Sequence, residues 1–175
     1  MKLHHLTIEL RRKQEFSAEQ LCEAVGRLDC LKSFELINGS EQFHSTPGKN
    51  LLIASVKKCS KLQKLVCKCV IFSMNQLKDI LRHPSLEYLN YFTQNFGPAE
   101  LLQAIEETAS QAFKEIVCYK ESITEKEVSD ISQMLAKFLI ETNASLSKSN
   151  SRKVTLRFFY PQKKLYQLKR CLLDS

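Results

Sequence analysis

Glycine and proline are scarce in this sequence, with four of each among 175 residues. Flexible linkers are often rich in these residues, so we expect a single domain spanning 1–175 and no long linker. The same scarcity argues against a glycine-rich phosphate-binding loop, which needs several glycines at close spacing. We therefore expect one globular domain that lacks a nucleotide-binding loop of this kind.

Long apolar runs are also missing. No stretch approaches the roughly 18 apolar residues that a membrane helix needs. The first residues, MKLHHLTIELRRK, carry charges where a secretory signal has an apolar core. We therefore expect a nuclear or cytoplasmic protein that is not secreted and has no membrane partner. In those compartments the seven cysteines would be reduced, and their odd number argues against a closed disulfide framework.

The sequence carries no recognisable catalytic motif. Four histidines are present, and none lies in a motif with a nucleophile. Cys59, Cys67 and Cys69 could share a metal with His44 or His83, but the spacing C-x₇-C-x-C differs from the paired close spacings of zinc sites. We interpret the cysteines as buried apolar side chains. We predict no catalytic or metal site, no cofactor and no small-molecule substrate, hence a protein that is not an enzyme.

Acidic residues are absent from 49–72, a stretch that carries six lysines. A second basic zone, 152–175, has seven Lys and Arg residues against Asp174 alone, whereas 97–151 has nine acidic and five basic residues. The formal net charge of +7 is therefore concentrated in two zones. Such zones can neutralise nucleic-acid phosphates or bind an acidic protein surface.

Local patterns predict a mixed α/β start over 1–48. Alternating apolar residues indicate strands over 3–10 and 31–37, and Asn38-Gly39 predicts a hairpin turn with a strand that returns to His44. Over 50–72 the apolar residues recur at helical spacing with lysines opposite, which predicts an amphipathic helix. A short strand over 66–72 is the alternative for the end of this stretch.

Helices are predicted through most of the middle, 49–144. Capping signatures begin two of these helices, at Ser73 and Thr124, and two more are predicted over 85–96 and 98–119. A third capping signature, at Ser17, begins a helix in the segment 1–48. The three signatures are unequally spaced and their flanking residues do not align. We therefore interpret them as independent helix starts and not as units of a repeat.

The end of the chain is predicted to be a polar loop over 145–151 followed by a basic strand–helix segment over 152–175. Its strand covers 154–160 and its helix 163–173. Together, the patterns predict a helix-rich α+β fold. In this fold a central helical bundle packs on a small antiparallel sheet, formed by the N-terminal and C-terminal strands.

The candidate binding residues are basic or aromatic. Those expected to contact a nucleic acid or an acidic partner are Lys57, Lys61, Lys64, Lys68, Arg157, Lys163, Lys164, Lys169 and Arg170. The helix predicted over 85–96 has more large apolar groups than one buried face needs, so Tyr88 or Tyr91 is expected at a protein interface. We expect a non-enzymatic protein-interaction subunit of an intracellular, nuclear multiprotein assembly. The alternative is a nucleic-acid-binding module that uses 49–72 and 152–175.

Overall fold

Strands and helices alternate along the chain in the computed structural model. The structure describes residues 2–10, 17–37, 41–93, 96–119, 129, 133, 151–159 and 165–173, without the side chains of 41, 42, 151–154, 158, 159 and 165–173. The elements in order are β1 (His5–Glu9), α1 (Ala18–Gly26), β2 (Ser33–Ile37), a 3₁₀ helix (Glu41–His44), α2 (Thr46–Lys58), β3 (Lys64–Ile71), α3 (Met74–Leu81), β4 (Tyr88–Phe92), α4 (Pro98–Thr108), β5 (Glu115–Tyr119), β6 (Ser151–Phe159) and β7 (Leu165–Leu173).

All seven strands form one sheet whose order follows the sequence from β1 to β7. Strands β1 to β6 are parallel, and β7 runs antiparallel to β6. The predicted helical bundle on a small antiparallel sheet is therefore wrong. The N-terminal and C-terminal strands lie at opposite edges of the sheet and do not pair with each other. Parallel neighbours need a crossover connection, and this requirement accounts for the helices between successive strands.

Several predicted elements are confirmed in type. The strands expected over 3–10, 31–37 and 154–160 correspond to β1, β2 and β6. The helices expected after Ser17 and Ser73 are α1 and α3. In both helices the serine hydroxyl accepts a hydrogen bond from a main-chain N–H three residues on, and at Ser73 the Gln76 side chain completes the reciprocal capping box.

Other predicted elements are wrong. The helix expected over 50–72 ends at Lys58 and gives way to β3, as the alternative for 66–72 allowed. Strand β4 replaces the helix expected over 85–96, β5 replaces the last part of the one expected over 98–119, and β7 replaces the C-terminal helix.

The predicted hairpin is also wrong, because the segment expected to return as a strand is a 3₁₀ helix. Residues 38–40, which would have formed its turn, lie outside the described residues. So do the helix expected from Thr124, apart from residues 129 and 133, and all but the last residue of the loop over 145–151.

Each of the strands β2 to β5 is entered through the same turn. The first apolar residue of the turn donates its N–H to the carbonyl three residues earlier, at distances of 2.9 to 3.3 Å. These donor–acceptor pairs are Leu31–Leu28, Leu62–Cys59, Leu86–His83 and Phe113–Ser110. The N–H groups of the next two residues then both donate to one carbonyl oxygen of the preceding unit. The donors and their acceptor carbonyls are Lys32 and Ser33 to His4, Gln63 and Lys64 to Lys32, Glu87 and Tyr88 to Gln63, and Lys114 and Glu115 to Glu87. Successive turns are therefore stacked in the same way.

This stacking reveals an internal repeat that the sequence analysis rejected. Each unit places buried apolar residues at the first, fourth and sixth positions of a turn-plus-strand segment. The four sets are Leu31, Phe34 and Leu36; Leu62, Leu65 and Cys67; Leu86, Leu89 and Tyr91; and Phe113, Ile116 and Cys118, all between 0% and 1% exposed. A helix follows the strand in the first three of these units, so the rejection of a repeat is wrong for this part of the chain, whereas Thr124 lies outside the described residues.

The hydrophobic core lies on one face of the sheet. Parallel crossovers are almost always right-handed, so a sheet whose strand order follows the sequence carries its connecting helices on the same side. Core residues of the helices, such as Leu52, Leu77 and Leu101, belong to one buried cluster with strand residues such as Leu36 and Leu89. Val66 and Val117 are also buried, at 4% exposed, but lie outside this cluster because they are on the other face.

Candidate interaction surface

The opposite side of the sheet, which we term the helix-free face, is formed by alternate residues of each strand. Strand pairing aligns these residues in three rows. The first row is His5, Ser33, Lys64, Tyr88, Glu115 and Thr155; the second is Thr7, Glu35, Val66, Asn90, Val117 and Arg157. The third row includes Glu9 with Ile37, and Ile71 with Phe92 and Tyr119. None of the described helices contributes to this face.

The centre of the middle row is buried although no described helix covers it. The three central residues, Val66, Asn90 and Val117, are 4%, 6% and 4% exposed. The Asn90 amide nitrogen donates to the Tyr88 hydroxyl at 3.2 Å, whereas its Oδ1 has no hydrogen-bond partner. A buried carbonyl oxygen without a donor costs stability. Asn90, which lies between two valines in this row, is therefore unfavourable for the stability of the fold.

Charges on the helix-free face are largely paired with one another. The Lys64 amine contacts the Glu35 carboxylate, and the Arg157 Nε lies 3.0 Å from the Glu115 Oε1, close enough for an ion pair though not aligned as a hydrogen bond. The Lys64 amine also lies 5.8 Å from the centre of the Tyr88 ring. The described side chains of this face carry the bases Lys64, Lys68 and Arg157 and the acids Glu9, Glu35 and Glu115. Their formal charges sum to zero when His5 is neutral.

Apolar and aromatic groups are partly exposed at the carboxyl ends of the strands. Ile37, Ile71, Phe92 and Tyr119 are half-buried, and none of them packs against the core cluster. Sequence reasoning missed all four as surface residues, because it placed Phe92 and Tyr119 in helices. For Ile37, Phe92 and Tyr119 the available signal was the turn-plus-strand spacing of the repeat, which puts the residue after its sixth position on the other face of the sheet. Ile71 lies beyond the register shift in β3 and has no such signal.

The predicted lysine stripe does not exist as one surface. Lys57 lies on α2 and pairs with Asp79 at 3.4 Å between Nζ and Oδ2. Lys61 is in the turn before β3, whereas Lys64 and Lys68 are on the helix-free face. The physical reason is the change from helix to strand after Lys58, since residues seven apart share a face on a helix but not on a strand.

The remaining predicted basic binding residues lie on the last two strands or outside the described residues. Arg157 is on the helix-free face, and the backbones of Lys169 and Arg170 pair with Thr155 and Val154 in β6. Lys163 and Lys164 lie outside the described residues. Tyr88 is half-buried on the helix-free face, as an interface residue can be.

Tyr91, the other tyrosine considered for an interface, is fully buried on the core side. Its ring centre lies 6.1 Å from that of Phe72. Its hydroxyl sits near the Cys118 thiol and Thr93, without a well-formed hydrogen bond. Burial raises the pKa of Tyr91 well above the ordinary value for tyrosine. Tyr91 therefore contributes to the core and cannot reach a partner.

The cysteines near β3 are core residues. The Cys59 thiol donates to the carbonyls of Val25 and Ser55 at 3.3 and 3.4 Å, and Cys67 is 0% exposed. Burial raises the pKa of both thiols, so they are protonated at neutral pH. Within the described part of the chain, no group of three or more His, Cys, Asp or Glu side chains is placed to hold a metal ion.

His83 is a buried histidine that links two stacked turns. It is 3% exposed, its Nε2 lies 3.1 Å from the Cys59 carbonyl oxygen, and its Nδ1 accepts from the Ser85 N–H at 3.3 Å. These partners fit a neutral ring that carries its proton on Nε2. Burial lowers the pKa of His83, and the hydrogen bond to Cys59 opposes that shift.

Comparisons with protein-family models, curated proteins and solved structures give no match for this chain. None of the helices that the structure describes is both long enough and apolar enough to cross a membrane.

Proposed function

We propose that this chain is a protein-interaction module, without enzymatic activity, that binds another protein through the helix-free face of its sheet. The observation that carries the proposal is a parallel sheet with described helices on one side only. Parallel sheets are ordinarily covered on both faces, because crossover helices pack on each side. Here the second face offers Tyr88, Phe92 and Tyr119 as partly exposed aromatic groups.

The stacked architecture supports a binding role. Neighbouring strands lie about 4.8 Å apart, whereas packed helices need about 8–10 Å, so stacked strand–helix units curve with the sheet on the inside. Extended concave surfaces of this kind are the binding surfaces of repeat proteins. The apolar spacing of the turn-plus-strand segment is also typical of leucine-rich solenoids, which is an argument by analogy from architecture.

The charge balance favours a protein over a nucleic acid as the partner. Binding to a phosphate backbone depends on an excess of Lys and Arg. The described side chains of the helix-free face carry equal numbers of acids and bases, and Lys64 and Arg157 are already paired with carboxylates. Protein interfaces, in contrast, are enriched in aromatic residues with few unpaired charges at their centre.

Nucleic-acid binding is the second candidate function, and a different part of the sheet favours it. Arg157 on β6 lies one strand away from the backbone of Lys169 on β7. The described parts of this basic zone, in β6 and β7, therefore lie at one edge of the sheet. A nucleic acid bound there would contact β6 and β7, and not the aromatic residues of β4 and β5.

We also propose that the module works in the cytoplasm or nucleus, within a multiprotein assembly. The six cysteines whose state is described, including Cys22 and Cys30 outside the β3 region, are free thiols. Free thiols in this number support a reducing compartment.

Site-specific photocrosslinking in cells tests the proposed function. A benzophenone amino acid replaces Tyr119 on the helix-free face in one variant and Glu106, an exposed residue of α4, in a matched control. We expect protein adducts from position 119 and few from position 106. Adducts from position 106 alone would contradict the proposal, and so would RNA or DNA adducts in place of protein at position 119.

A further inference from the structure

Strand β3 departs from the regular pairing of the sheet at Lys68. Cys67 pairs with Tyr91, but the next aligned pair is Ile71 with Phe92, so three residues of β3 are inserted where β4 has none. Cys69 and Val70 both pack on the core side, although they are adjacent in sequence. Bulges of this kind re-aim side chains and occur often beside functional sites. Lys68 is the residue after the sixth position of its unit, so it lies on the helix-free face where this irregularity begins.

Lys68 differs from the other basic residues of this face. Lys64 and Arg157 contact carboxylates, whereas Lys68 has no acidic partner among the described residues. Its amine lies 5.6 Å from the centre of the Tyr119 ring, two strands away. This cation–π contact holds the amine over an apolar surface and keeps it exposed. The positive charge of Lys68 is therefore exposed, lies beside the Tyr119 ring and is unpaired among the described residues.

The groups around Lys68 are apolar. We term Ile37, Lys68, Ile71, Phe92 and Tyr119 the carboxyl-end patch, since all five lie near the carboxyl ends of β2 to β5. The four uncharged members are half-buried and do not pack on the core. A single cation among partly exposed apolar groups is complementary to one anionic group flanked by apolar side chains. A phosphate group is usually bound by several Arg residues, so one lysine favours a carboxylate.

We infer that the carboxyl-end patch binds a segment of a partner protein that presents an Asp or Glu carboxylate beside a large apolar side chain. The carboxylate pairs with Lys68, and the apolar side chain packs on Phe92, Tyr119 and Ile71. This inference rests on the proposed function, because it names the chemistry of the partner that the helix-free face would bind.

Selection from a random twelve-residue peptide library displayed on phage tests the inference. The folded chain is the target, and selected peptides are then measured by fluorescence anisotropy against four variants. Lys68→Gln removes the charge, Lys68→Arg keeps it, and Phe92→Gln removes an apolar contact. Lys58→Gln, which replaces an exposed lysine of α2, is the control. Circular dichroism verifies that each variant is folded.

We expect the selected peptides to be enriched in Asp or Glu next to Phe, Leu or Trp. Lys68→Gln and Phe92→Gln should each weaken binding about tenfold, while Lys68→Arg and Lys58→Gln stay within about threefold of the wild type. Peptides that bind through Phe92 but lack acidic residues and tolerate Lys68→Gln would overturn this inference and leave the proposed function intact. A library that yields no peptide dependent on Phe92 or Lys68 would overturn both.

Discussion

The two faces of the sheet are made by alternate residues of the same strands, yet they have opposite properties. On the core face Leu36, Cys67 and Leu89 are 0% exposed and pack against the helices. On the helix-free face Glu35, Lys68 and Phe92 come from those same strands and carry charge or partly exposed apolar surface. The core face therefore accounts for most of the buried apolar surface, whereas the proposed function assigns binding to the helix-free face. Substitutions can test this division separately on each side.

The largest effect is expected from truncating the core face. Leu89→Ala should lower the free energy of unfolding by about 3 kcal/mol, because it leaves a cavity beneath the helices. Urea denaturation measures this change. Ile37→Ala, which truncates a half-buried residue on the helix-free face, should cost less than about 1 kcal/mol and serves as the matched control. Equal losses for the two variants would argue against a one-sided core.

A smaller effect is expected at the stacked turns. His83→Ala should lower the free energy of unfolding by about 2 kcal/mol, because the Cys59 carbonyl and the Ser85 N–H lose their partner. Urea denaturation at pH 8 measures this loss.

His83 should also make stability depend on pH. Its pKa is lowered in the folded state, so the unfolded chain binds the proton more readily near the ordinary histidine pKa of about 6.5. Its contribution is then complete above about pH 6.5 and declines as the pH falls below that value. The decline should be shallower in His83→Gln than in the wild type. If the unfolding free energies of the two proteins fall equally with pH, His83 is excluded as the source of the decline.

The smallest effect is a gain of stability on the helix-free face. Asn90→Val should raise the free energy of unfolding by about 1 kcal/mol, because it removes the buried unpaired Oδ1 and continues the row between Val66 and Val117. The midpoint of urea unfolding should rise. A loss of stability would mean that the Asn90 amide is satisfied in solution, for instance by water.

Local patterns predicted the starts of two helices and the positions of two strands better than they predicted the order of the strands in the sheet. The Ser17 and Ser73 caps depend on contacts within one turn of helix, so the sequence alone locates them. Strands β1 and β2 alternate clearly because each has one polar face. The parallel order of the strands depends on contacts between distant segments, and no local pattern specifies it.

Strand β4 shows why a helix was predicted over 85–96. Leu86, Leu89 and Tyr91 occupy the first, fourth and sixth positions of the repeat, and the spacing of three between the first two also occurs on a helix. Phe92 then continued the apparent helical face, although it lies on the opposite side of the strand. Recognising the same spacing at Leu31, Leu62 and Phe113 would have revealed the repeat. The Lys68 irregularity, in contrast, has no sequence signal that we identify.

One paired measurement tests the division between the two faces most directly. Unfolding free energy and affinity for a library-selected peptide are measured for Leu89→Ala and Phe92→Gln, at a temperature at which both remain folded. We predict that Leu89→Ala loses about 3 kcal/mol of stability but binds within about twofold of the wild type. Phe92→Gln should bind about tenfold more weakly and lose less than about 1 kcal/mol. Equal losses of stability and affinity in both variants would contradict the account.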